Sequence, residues 1–191
     1  MTDHRQLSLY EKIVQTRGGA REERCHAIPH VGSYNNAMHQ WGVAHLCHVF
    51  WPDRAQILVP AALFHDIPEA WVGDIPSPLM RHANGVKGEV GKFEAAIFSS
   101  LGLPNENELS PADYMKLKTA DMLEFLLWCL DQNMLGNHSV DEGIREVMIY
   151  LDNNPLPSPA QEFYTMLKHR EYNGHRASGV IKEISDDLRA L

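Results

Sequence analysis

The apolar run Ile57 to Phe64 ends directly in His65-Asp66-Ile67-Pro68-Glu69, and this junction constrains the fold more than any other stretch. An imidazole and two carboxylates follow a segment suited to a core, with no lysine or arginine among them. Removing charged groups from water is costly unless they are paired or bound to a cation. The segment therefore has to lie at the edge of a core and find partners there, which points to a metal ion or a proton-transfer site. On a helix, neighbours such as His65 and Asp66 point about 100° apart, given roughly 3.6 residues per turn. At a helix end both can still lean toward one ion.

The rest of the chain repeats its apolar residues with the helical period. Ser8 to Gln15 reads as a first helix, with Leu9, Ile13 and Val14 on one face and Gly18-Gly19 ending it. Arg21 to His30 is polar, interrupted by Pro29, and reads as loop. Asn35 and Asn36 are candidate caps for a helix over Ala37 to Phe50. Arg54 to His65 follows, with Pro60 inside it as a source of a kink. Gly73-Asp74-Ile75-Pro76-Ser77-Pro78 is rich in turn residues. Further helices are expected over Lys87 to Leu101, with Phe93, Ala96, Ile97 and Leu101 on one side, and over Ala112 to Leu130, opened by Ser110-Pro111. Val140 to Leu151, Ser158 to His169 and a short closing helix, Val180 to Leu191, complete the set. No stretch alternates with period two for long, and there are no repeats. The expectation is one all-α domain over residues 1–191, a compact multi-helix bundle with short loops.

The missing partners of His65 and Asp66 are sought on the other helices. Asp121 lies deep in the most apolar helix, where a carboxylate is rarely left without a partner. His39 lies among apolar residues on an earlier helix. Two imidazoles and two carboxylates from three helices make a mixed N/O set suited to a divalent ion of the manganese, iron, cobalt or magnesium kind. Facing helices of a bundle are where such sites are built.

Charge narrows the partners. A formal net charge of −8, from 25 acids and 17 bases, argues against stable binding along a nucleic acid. It leaves room for a small phosphorylated substrate, because a metal and a few placed bases supply local positive charge. The three cysteines, Cys25, Cys47 and Cys129, form no CxxC pair and fit a reducing compartment. The first residues lack the apolar core of a signal peptide. No run approaches the ~18 apolar residues that span a bilayer. A cytoplasmic enzyme without membrane contact is expected.

The order His39, then His65-Asp66, then Asp121 resembles the H…HD…D signature of the HD phosphohydrolase superfamily. The likeness extends further. Phe64 to Glu69 followed by Gly73 to Pro78 is similar to the HDxxE…GDxPxP block of the 5′-deoxynucleotidase branch, and Lys118-Thr119-Ala120-Asp121 to its KxAD segment. Arg24 falls about where that branch keeps a phosphate-binding arginine. The motifs cover roughly Arg24 to Leu130. The resemblance implies that His39, His65, Asp66 and Asp121 hold one divalent ion (manganese, cobalt, magnesium, zinc or nickel). It implies that the catalytic acids are Glu69, which orients or deprotonates the attacking water or protonates the leaving oxygen, and Asp74, which lies near the sugar or helps position water. Arg24 grips phosphate with help from Lys118, the substrate is a small nucleotide, and the chain is a homo-oligomer.

Two departures matter. The branch places an aromatic residue directly after the arginine, against the sugar, where this chain has Cys25, so any sugar discrimination is made differently. Tyr34-Asn35-Asn36-Ala37-Met38-His39-Gln40 also departs from the usual acidic residue before the histidine. The chain is similar as well to the compact phage-type HD enzymes that strip triphosphate from deoxyadenosine nucleotides. That reaction asks for more positive charge than one arginine, and Arg21, Arg81, Lys87, Lys92 and Lys116 are the sequence's other candidates. The competing readings are a di-iron oxygenase of the same superfamily, for which His45, His48 and His82 are the available extra ligands, and a non-catalytic nucleotide sensor. Trp41, Phe50, Trp51 and Phe64 read as core, and Trp71 as a residue that faces a base.

Overall fold

A computed structural model describes residues 7–76, 79–80 and 83–169. The described chain is all-helical, apart from one isolated bridge between Glu23 and Asn35. The elements are α1 (Leu9–Gly19), α2 (Asn36–Phe50), α3 (Ala55–Phe64), α4 (Glu69–Val72), α5 (Val86–Leu101), α6 (Pro111–Met134), α7 (Asp141–Asn153) and α8 (Ala160–His169). Short 3₁₀ turns precede α3, α6 and α7. Among the described residues, no helix is long and apolar enough to cross a membrane.

The scaffold of the site is the packing of α2 on α3 and α6. Val43, Ala44, Leu46 and Cys47 of α2 meet Leu58, Ala61 and Ala62 of α3 and Leu117, Ala120 and Leu123 of α6 in one buried cluster. Burying each large aliphatic side chain is worth about 1.5–3 kcal/mol. The alanines let the three helices approach closely, so short polar side chains on their facing surfaces can reach one another. Val147, Leu151, Ala160 and Tyr164 of α7 and α8 close the far side of the core. A second cluster, Tyr34, Trp128, Cys129 and Val140, seals the loop before α2 against the end of α6.

Local signals account for the helix starts. Ser8 and Glu11 form a reciprocal capping box at α1. Asn35 accepts from the Met38 amide at the head of α2. Ser110 caps α6, with Pro111 at its first position.

Several expectations need correction. The first helix runs past Gln15 and ends at Gly19. Its Leu9, Ile13 and Val14 face solvent, and Gly19 is its buried residue. Phe98 rather than Phe93 is the buried aromatic of α5. Trp41 is 66% exposed rather than core, its ring stacked on His45. The one-turn helix α4 was not expected, because four residues carry no readable period. The helix expected over Val180 to Leu191 lies outside the described residues, as do Ser77, Pro78, Arg81 and His82.

Candidate active site

Three elements bring the predicted ligands together. His39 lies in the first turns of α2, fully buried. His65 and Asp66 follow the last residue of α3. Asp121 sits in the buried middle of α6. Each of His39, His65 and Asp121 offers an atom within 4.8 Å of the others. His39 Nε2 stands 3.2 Å from Asp121 Oδ1 and 3.4 Å from Asp66 Oδ2. His65 Nε2 is 3.1 Å from the same Asp66 oxygen.

The hydrogen bonds decide which nitrogen of each ring is free. His65 Nδ1 lies 2.8 Å from the Ala62 carbonyl oxygen, which can only accept, so Nδ1 carries the proton. His39 Nδ1 bonds the Glu124 carboxylate, with the same consequence. Both Nε2 atoms are buried and have no hydrogen-bond partner. Both Nε2 atoms thus face a shared space beside two carboxylates. Buried polar atoms are rarely left so, and this donor set fits a divalent cation of the borderline kind, for which neutral imidazole and carboxylate are suitable ligands.

The basic groups are held by the same carboxylates. One Arg24 nitrogen, Nη1, donates to Asp66, to Glu69 Oε2 at 3.3 Å and to Asn36 Oδ1 at 3.2 Å. Burial alone would lower the Arg24 pKa, but the charges of Asp66 and Glu69 carry it up. Lys118 donates to Asp121, whose charge raises the lysine. Burial would raise Asp66 and Asp121, but the charges of His65 and Arg24 on the first, and of Lys118 on the second, hold both well below the usual carboxylate range. For His65, burial acts downward, and the Asp66 charge beside it carries the imidazole up to about 9.

Glu69 opens α4 and is pushed up to about 9, first by burial and then by the Asp66 charge. A carboxyl so raised stays protonated near neutrality. Asp74 is turned to the backbone: its Oδ2 accepts from the Cys25 amide at 2.6 Å and lies 3.9 Å from His26 Nδ1. Cys25 itself has a left-handed backbone, φ 54°, and packs with the Trp128–Cys129 cluster. Burial pushes its thiol up to about 12. Glu94 of α5 and Glu106, in the turn before α6, add two acids near the site. Burial raises both, and the charge of Asp66 contributes to each. Trp71 is 42% exposed, as a residue free to meet a ligand has to be.

Four residues of the site escaped sequence reasoning. Asn36, read only as a cap, is fully buried and ties three segments together: its amide donates to the Gly19 and Asp66 carbonyls while its oxygen accepts from Arg24. Glu124 and Tyr34 stand behind His39. Gly19 leaves no room for a side chain, since a Cβ there would lie 2.9 Å from the Ile67 carbonyl oxygen and side chain. The buried asparagine in a helix start was the available signal; the other three depend on contacts made only in the fold.

No protein-family model matches the chain. A 5′-deoxynucleotidase of Shewanella oneidensis is 29% identical over 110 residues, 51% of this chain and 56% of that protein. One of Photobacterium profundum is 28% identical over 119 residues, 56% of this chain and 60% of that protein. The chain thus spans somewhat over half the length of these curated relatives. Among solved structures, the HD phosphohydrolase of cyanophage S-2L, bound to dA and one catalytic Zn²⁺ ion, superposes with a TM-score of 0.60 at 20% identity, covering 86% of this chain and 98% of that one.

Proposed function

From the premise that this chain is a distant relative of the 5′-deoxynucleotidases with the fold of an HD phosphohydrolase, we propose that it hydrolyses the phosphate ester of a 2′-deoxynucleotide at a single divalent cation. The observation that carries the reading is the pair of buried, partnerless Nε2 atoms of His39 and His65, facing Asp66 and Asp121. In this reading those four residues hold the ion. When bound, it polarises a phosphoryl oxygen and makes a water more acidic.

The other side chains have separate tasks. Glu69, held protonated, gives its proton to the leaving oxygen of the sugar. Arg24 and Lys118 supply the positive charge that the phosphoryl oxygens need as charge spreads over them. Asp74 fixes the Cys25 backbone and, with it, the wall on the sugar side.

The charges around the site favour one phosphoryl group over three. Lys92 pairs with Glu89 on the surface and Lys116 lies 3.7 Å from Asp113. Arg21 and Lys87 are exposed. Arg24 and Lys118 are the bases at the cluster among the described residues, and Glu94 and Glu106 add negative charge there. The substrate is therefore a deoxynucleoside 5′-monophosphate. A di-iron oxygenase gains nothing from His45 and His48, which are exposed. A panel of deoxynucleoside mono- and triphosphates with manganese, cobalt or zinc tests the proposal. Free phosphate from monophosphates is expected. Triphosphate as product replaces the substrate, and no release from any of them removes the function.

A further inference from the structure

We propose that Glu124, anchored by Tyr34 and given room by Gly42, is a positioning residue that sets the His39 imidazole for cation binding. The inference rests on the reading of His39 as a metal ligand and adds what holds that ligand in place.

Glu124 lies one turn beyond Asp121 on α6, so one helix face offers a ligand and the support of another. Its carboxylate accepts the His39 Nδ1 proton and, at 2.6 Å, the Tyr34 hydroxyl proton. Nδ1 and Nε2 are on different edges of the ring, so Glu124 stands behind the imidazole while Nε2 points at Asp121 and Asp66. An acceptor at Nδ1 fixes the tautomer that leaves Nε2 as a lone pair, and a negative one makes that lone pair a better donor.

Two further observations show a built arrangement. Tyr34 is 1% exposed and stacked on Trp128, with ring centroids 4.3 Å apart and planes 12° from parallel, so its hydroxyl is fixed. Gly42 sits mid-helix on α2, where glycine is a poor helix former. A Cβ at that position would lie 2.6 Å from Glu124 Cγ and 3.0 Å from its Oε1. The missing side chain is the space that Glu124 occupies. His65 differs, because its Nδ1 is held by a backbone carbonyl that no substitution removes. Of the two rings, His39 alone depends on other side chains for its setting.

The test is the affinity of the full chain for Co²⁺ or Zn²⁺, read by competition with a chromophoric chelator, with the melting temperature of the metal-free protein as control. Glu124→Ala is expected to weaken binding about 10–100-fold. Glu124→Gln, whose amide oxygen still accepts from Nδ1, recovers most of that loss. Gly42→Ala weakens binding as Glu124→Ala does, and the double variant loses no more than either alone. ¹⁵N spectra of the metal-free protein should show the Nδ1-protonated tautomer of His39 in wild type and Glu124→Gln, and a mixture in Glu124→Ala. Tyr34→Phe keeps the ring stack, removes one anchor and is expected to lose several-fold. Wild-type affinity in Glu124→Ala, or in both Gly42→Ala and Tyr34→Phe, overturns the proposal, as does a Gln variant as weak as the Ala one. His39→Ala separates the two readings. If it abolishes binding while Glu124→Ala does not, only the positioning role falls; if wild type takes up neither metal, the metal centre falls with it.

Discussion

His39 and His65 each present one nitrogen that has no hydrogen-bond partner, whereas Arg24 and Lys118, lining the same space, are already joined to carboxylates. In the proposed function the imidazole half is completed by a cation. The basic half is occupied in holding Asp66 and Asp121 side by side. The contrast teaches that the two halves serve different states of the protein. The imidazoles matter for what is bound; the bases matter also for what keeps a buried cluster of like charges together before anything binds.

The largest effect that sharpens this contrast is on turnover in His39→Ala and His65→Ala. Both should bring metal uptake and phosphate release to background. If either keeps wild-type metal affinity in the chelator competition, the imidazole half is not what it is taken to be.

Next comes Glu69→Gln, which removes a proton donor and should lower kcat by about 10²–10⁴-fold while metal still binds. The pH dependence carries the sign. An acid whose folded pKa is raised stays protonated up to that pKa and is lost above it. Glu69 is carried to about 9 with Asp66 charged beside it. A cation on Asp66 relieves part of that repulsion. The basic limb of kcat/KM should therefore fall above the ordinary glutamate value of about 4.3 and at or below the raised value of about 9, and should vanish in Glu69→Gln. The same raised acid makes the metal-free protein less stable as pH climbs through this window, because the unfolded chain gives up the proton more readily.

Smaller, and aimed at the other half, is Arg24→Ala. It leaves Asp66 partly buried without its base, and a loss of up to about 3 kcal/mol is expected in chemical denaturation of the metal-free protein. KM should rise more than kcat falls. Added Zn²⁺ should recover part of the stability, because the ion takes over the charge. If Arg24→Ala melts like wild type with or without metal, the division of labour fails. The smallest effect is at Trp41→Ala on the exposed face of α2, within about 0.5 kcal/mol of wild type and without change in turnover.

Legibility in the sequence followed the same division. The candidate ligands could be picked out, because a histidine or carboxylate set in an apolar helix face is anomalous wherever it occurs, as at His39 and Asp121. The supports could not. Glu124 follows an unremarkable leucine-rich pattern, and its partners His39 and Tyr34 lie 85 and 90 residues earlier. Periodicity located α2, α3 and α6 within a few residues, yet it says that a face exists and not what it meets. Leu9, Ile13 and Val14 make such a face on α1 and leave it in solvent. In α5 the residue five positions on from Phe93 takes the buried place.

Gly19 lies at the foot of α1, pressed against Ile67, which stands between Asp66 and Glu69 in the chain. One absent methyl group therefore sets how near the end of the first helix may come to the turn that spaces Asp66 from Glu69. Evolution or a designer could enlarge many surface residues of that helix freely, but a single added carbon at this contact would push the turn at Ile67, and with it the carboxyl groups of Asp66 and Glu69, out of register without altering either residue.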